Sequence, residues 1–426
     1  MFCFSPQEFL VLAREICVIG LVRLFVSHYT LPMRVIGTRA SGLRTPIIRE
    51  ADDLVAVVCQ AVKDAVENEG TRINDGDIFG ITEAVVARSQ GNYASVDQIA
   101  ADVRAKFSGG HAGVVFPILS RNRFAMLLKG IARGLEKVTV QLSYPSDEVG
   151  NQLVSWEDLD DKGLNPYSDC LSESDFRKLF GAEVKHRFTG IDYVSYYKSL
   201  GDNIEIILCS DPKRIVQYTD QVIAADIHTR ARTKRALKAA GAKNVIGVDD
   251  ILRAPVNGSG YNELYGLLGS NKASEERVKL FPRDCDAFVR RMQAALRELT
   301  GKAVEVLVYG DGGFKDPVGG IWELADPVIS PAYTSGLTGT PNELKLKYLA
   351  DNDFANLSKD DARKAIEQAI NAKAGRDQMG KMVSEGTTPR QLTDLLGSLC
   401  DLVSGSGDKG TPVVLIQGYF DNYAMK

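Results

Sequence analysis

The chain has 426 residues, 51 of them basic and 55 acidic, for a formal charge of −4. At roughly 150 residues per domain this length suggests two or three domains. Hydrophobic residues at 44% and charged residues at 25% exclude a disordered, collagen-like or disulfide-built chain, and the near balance of charge argues against a protein built around nucleic acid.

Seven cysteines form no CxxC pair and the four histidines are scattered. Reduced thiols in a cytoplasmic protein are therefore expected, and any metal is expected to be a hard cation on carboxylates. The apolar stretch at residues 9–26 is broken by Arg14, Glu15 and Arg23 and shows no clear cleavage pattern, so neither a membrane span nor a signal peptide is expected. Residues 1–32 read as an N-terminal extension, with the domain proper starting near Met33, itself a candidate start codon.

From Met33 the elements follow in order. Residues 33–37 read as a short strand and 45–48 as an extended segment. Asp52 and Asp53 precede an amphipathic helix from Leu54, as first-turn acids. Residues 78–81 form a buried strand ending in Thr82 and Glu83. Residues 113–119 read as a strand running into Ser120, the candidate N-cap of a helix over 124–137, and residues 138–142 as the next strand. Arg121 and Arg123 at that helix start would suit a substrate anion; pairing with surface acids is the alternative.

Residues 204–209 and 245–248 read as strands of an inserted βαβ unit, with a helix start at 210–212. The run at 228–238 between them carries five Lys/Arg and no acid. A solvated helix face is its ordinary reading, with an acidic small molecule as the functional alternative and nucleic acid third. Residues 255–260 read as a linker. Ser358 and Thr388 mark helix starts, and residues 413–416 a closing buried strand.

Three Gly- and acid-containing loops carry the candidate chemistry: 189–192, 310–316 and 405–410. Their glycines would let backbone approach phosphate, and their carboxylates could hold a divalent cation. None is a Walker A loop or a dinucleotide fingerprint, and no Ser-His-Asp or Cys-His arrangement declares itself.

Taken in order, these segments resemble the coenzyme F420-0:L-glutamate ligase (gamma-glutamyl ligase) family over most of residues 33–426. The resemblance rests on five stretches: Met33-Arg-Val with residues 45–54, residues 76–91, Gly190-Ile-Asp192, Leu299-Thr-Gly-Lys302 with the loop that follows its strand, and residues 405–418. Ala51 stands where the family has Gly, Arg88 for a signature Lys, Ser195 for an Asn, and Phe314 for an Arg with Lys315 adjacent. Ser406 replaces an acid, with Asp408 close by.

The resemblance implies a mixed α+β fold, with a ligase-like catalytic core at residues 33–202 and 281–426 and the inserted βαβ segment and linker at 203–280. The stretches 111–180 and 203–280 would be its extra material. It implies a GTP-dependent ligase that joins L-glutamate to a small acidic acceptor through an acyl phosphate. Mg2+ or Mn2+, and K+, would assist, in a homodimer without nucleic-acid or membrane partners. Thr45, Pro46, Ile47, Ile48, Thr82, Glu83, Arg88, Ser195, Gly405 and Gly407 would line the nucleotide site. Asp192, Asp311 and Asp408 would hold metal, and Arg121, Arg123 and Lys315 the substrate anion. The catalytic residue stays unassigned. A catalytically lapsed binding protein of the same fold, and a metal-dependent enzyme on another phosphorylated substrate, are the alternatives.

Overall fold

The computed structural model describes residues 36–108, 110–311, 326–373, 382–384, 390–404 and 408–425, with backbone alone at 314–315 and 322–323. The chain divides into two units. The larger comprises residues 40–341 and 390–417, the smaller residues 1–39, 342–389 and 418–426. Residues 1–32, residues 33–35 of the strand expected at 33–37 and the expected cap Thr388 lie outside the described residues; residues 36–37 are not in a strand, and the first described strand is Arg39–Leu43.

In the larger unit, one sheet runs in the order Arg39–Leu43, Val413–Gln417, Ile78–Thr82, Glu305–Tyr309, Ala332–Tyr333. Its central strand Ile78–Thr82 pairs parallel with Glu305–Tyr309 and antiparallel with Val413–Gln417. Alternation along that strand sends Phe79 and Ile81 into a core shared with helices Leu54–Glu69 and Cys285–Thr300. Gly80 faces the other way, against helix Leu392–Ser404, where a β-carbon would meet Cys400 Sγ at 2.3 Å.

Asp53 is the cap rather than a first-turn acid: its carboxylate accepts the Val55 and Ala56 N–H groups. Ala51, just before it, sits at φ 65°. The left-handed backbone explains why the resemblance places Gly at this position.

The second sheet has six strands in the order Leu171–Ser172, Ile204–Leu208, Lys137–Leu142, His111–Val115, Gln221–Ala224, Asn244–Gly247. The last five are parallel, and only Leu171–Ser172 runs antiparallel. Numbered along the chain, those five lie 3-2-1-4-5, a doubly wound arrangement whose order reverses beside His111–Val115. Residues 203–280 are therefore no separate insert. Ile204–Leu208 and Gln221–Ala224 complete a sheet begun at residue 111, so the two extra stretches expected apart form one body. The expected linker at 255–260 is packed as well, with Gly260 N–H donating to Tyr93 O at 2.6 Å.

The helix after Ser120 is Phe124–Gly134, shorter than expected, and Ser120 Oγ accepts the Arg123 N–H ahead of it. Helix Arg230–Ala239 carries the basic run. Arg230 pairs with Asp249 and Lys234 with both Asp249 and Asp250, while Arg232, Arg235 and Lys238 face solvent.

The smaller unit centres on Leu349, Ile366 and Ile370. Ser358 caps its helix Lys359–Ala372. Among the described residues of the chain, no helix is long and apolar enough to cross a membrane.

Two substitutions test this packing. Gly80→Val should lower the urea midpoint without changing the slope, at a cost of roughly 1–3 kcal/mol. Ala51→Gly should raise it by up to about 1 kcal/mol, relief of the left-handed strain outweighing the extra freedom of the unfolded chain.

Candidate functional site

A cavity of about 1120 Å³ opens in the larger unit between the C-terminal end of Ile78–Thr82 and the loop that follows His111–Val115. That loop is fixed from beneath. The buried Tyr197 hydroxyl donates to Ile118 O at 2.5 Å and accepts the Ser120 N–H at 2.8 Å. Buried Asp147 accepts the Leu119 N–H at 2.8 Å and also holds Asn151. The wall carrying Leu119, Ser120, Arg121 and Asn151 is thus anchored on side chains with no access to solvent of their own.

Across the cavity, Thr45, Pro46, Ile47 and Ile48 form a second wall. Ile47 is 78% exposed and Ile48 buried, so one apolar side chain is presented and the next anchors the segment. Thr82 caps the short helix Glu83–Ser89, which places Glu83 and Arg88 on the lining.

The charges fall into two groups. Glu83 is buried, with Lys279 Nζ at 3.0 and 3.1 Å from its two oxygens; burial pushes its carboxyl up, against the pull of that ammonium. Arg123 donates to buried Asp326 at 2.6 Å and also to Asp311. The Asp311 N–H in turn donates to Asp326 at 2.8 Å. Burial pushes the Asp311 carboxyl up to about 7, helped by Asp326, Asp401 and Glu83 and opposed by Arg123. Carboxylates outnumber cations here, which favours the protonated form of Asp311. In contrast, Arg88 and Arg121 line the same cavity, are exposed, and make no hydrogen bond or ion pair with the described residues.

The structure therefore gathers Thr45, Pro46, Ile47, Ile48, Thr82, Glu83, Arg88, Arg121, Arg123 and Asp311 around one space. It separates the two arginines of the 121–123 turn, leaving Arg121 open and committing Arg123 to acids. Other expected residues stand elsewhere. Asp192 does not line the cavity: Arg177 grips both its oxygens at 2.6 and 2.8 Å, and the Val184 and Ser195 N–H groups fill its remaining acceptor positions. Although burial opposes ionisation, these donors hold the Asp192 carboxyl below its usual range. In this structure it is a helix cap and the ion-pair partner of Arg177.

Ser195 is bonded to the same Arg177 and likewise does not line the cavity. Asp408 is exposed in a turn and does not line the cavity either. Gly405, Gly407 and the Lys315 side chain lie outside the described residues.

Lys279, Asp326 and Asp401 were not legible as site residues. None sits in a Gly-rich loop, and Lys279 and Asp326 acquire their roles only through partners far along the chain. Among the described residues, no group of three or more His, Cys, Asp or Glu side chains is placed to hold a metal ion.

The raised carboxyl of Asp311 has a consequence for stability. Its folded value of about 7 lies above the ordinary aspartate value of about 3.9. The folded protein thus binds more protons than the unfolded chain between those values, and stability falls as pH rises through that window. The melting temperature should decline between about pH 4 and pH 7 in the native protein, and decline less in Asp311→Asn.

No curated protein matches the chain. The family model for F420-0:gamma-glutamyl ligase matches residues 42–418, which takes in the whole six-stranded sheet and every residue lining the cavity. The chain belongs to that family, a family of amide-forming ligases.

Proposed function

We propose that the cavity is the active site of a nucleotide-dependent ligase that joins L-glutamate to a small carboxylate acceptor, with GTP as the co-substrate and an acyl phosphate as the activated species. The observation that carries this reading is the pair of exposed guanidinium groups, Arg88 and Arg121, which have no side-chain partner among the described residues and line one space together with Asp311. Free arginines suit phosphate and carboxylate because their planar forks bind such oxygens in pairs. The volume suits two ligands at once, since a single drug-sized molecule takes about 300–1,000 Å³.

In this reading Arg88, beside the end of the central strand, binds nucleotide phosphate, and Arg121, on the doubly wound body, binds the acidic acceptor. Holding both anions side by side lowers the cost of bringing them together, and no side-chain nucleophile is required. Asp311 and Asp401 both line the cavity and would hold an Mg2+ or Mn2+ ion at the phosphates, carboxylates being the usual protein ligands at such sites. Such a metal supplies neutralisation of phosphate charge. A cytoplasmic homodimer belongs to the same proposal.

The test is phosphate release from GTP with Mn2+, L-glutamate and F420-0. Arg121→Ala should lower kcat/KM for the acceptor by roughly ten- to a hundredfold, the loss of one charge-assisted hydrogen bond. Nucleotide binding without turnover would favour a lapsed binding protein of the same fold. A folded protein that neither binds nucleotide nor turns over would overturn the assignment of the cavity.

A further inference from the structure

Away from the cavity, at the antiparallel edge of the six-stranded sheet, two cysteines stand opposite one another. The register pairs Leu171 with Leu208 and Ser172 with Ile207, and continuing it by one residue sets Cys170 against Cys209. Directly opposed residues of antiparallel strands point to the same face with α-carbons about 4.5–5.5 Å apart. That span lies within the range of about 4.4–6.8 Å that a disulfide bridges. Cys170 packs against the apolar cluster that contains Ile207, the residue two before Cys209, in keeping with both sulfurs on one side of the sheet. Both are free thiols, Cys209 buried and Cys170 half-buried.

We propose that Cys170 and Cys209 form a peroxide-sensitive dithiol that closes to an intramolecular disulfide. The surroundings favour one negative charge shared by the pair. The Cys170 thiol lowers Cys209 to about 6, with further help from the Asp211 backbone and the Arg214 guanidinium, against burial. Cys170, facing that sulfur, is held in its protonated form.

The shared proton passes from Cys170 to Cys209, the half-buried Cys170 thiolate attacks a peroxide oxygen, the O–O bond breaks, and the departing hydroxide takes the proton from Cys209 and leaves as water. The Cys209 thiolate then attacks the Cys170 sulfenic sulfur. An S–S bond forms, the S–O bond breaks and hydroxide departs, so that one peroxide is reduced as two thiols are oxidised. The product would staple the two-residue strand Leu171–Ser172 to Ile204–Leu208.

The experiment treats the full chain with hydrogen peroxide, blocks remaining thiols by alkylation and maps tryptic peptides without reduction. The expected product is peptide 163–177 joined to peptide 199–213, two hydrogens lighter than the separate pair and released by a reductant. Cys170→Ser should abolish it, and Cys59→Ser, which alters a thiol elsewhere, should leave it intact. The oxidised native chain should also melt at a higher temperature than the reduced one, with no such shift in Cys170→Ser. Recovery of both peptides alkylated, or each oxidised separately to sulfinic acid, at peroxide doses that oxidise Cys59 would overturn the proposal, and this readout needs no variant to fold.

Discussion

Arg123 carries the structural weight of the larger unit. It leaves the loop that ends the first parallel strand of the doubly wound sheet and reaches Asp311 and Asp326, which follow the last parallel strand of the other sheet. A guanidinium so largely buried is tolerable only while its acids are present, and the acids only while it is. Deleting one partner of such a group typically costs about 3–5 kcal/mol, because the others are left uncompensated. The cavity is the space this bond holds open: one wall begins at Arg123, and Asp311 belongs to the other.

Much of that cavity was readable from short stretches. Residues 45–48 and 82–88 stand in unbroken runs whose local geometry, an extended segment and a strand feeding a capped helix, survives folding unchanged. Arg121 and Arg123 show the limit. Two residues apart, they look alike in sequence, yet only the partner acids far along the chain decide that one is a structural tie and the other an open hand. Asp192 shows the same limit. Its Gly-Ile-Asp setting is a fair metal-loop pattern, but Arg177 reaches it from the preceding helix and uses up its oxygens.

The doubly wound sheet was legible strand by strand and not as a whole. Residues 111–142 and 204–247 each show the short apolar runs, but their union depends on Lys137–Leu142 lying between His111–Val115 and Ile204–Leu208. The connection joining Lys137–Leu142 to Ile204–Leu208 holds three short helices and an edge strand, so no repeating rhythm announces the fold. Edge pairs such as Leu171 with Leu208 are specified by burial rather than by any turn between them.

The two sheets also differ in when they can be completed. The doubly wound body is drawn from one continuous stretch, so all its strands exist once about the first half of the chain has left the ribosome. The other sheet has Ile78–Thr82 at its centre, and that strand waits for Glu305–Tyr309 and finally for Val413–Gln417. During synthesis its apolar residues have no partner in this sheet until Glu305–Tyr309 emerges, and the sheet is complete only with Val413–Gln417. Domains of large proteins generally fold as units in order of emergence, and exposed apolar strands invite misassembly meanwhile. The inserted body is therefore the part that can form early, and the Arg123 side chain it presents waits there as a ready anchor for Asp311 and Asp326 as they arrive.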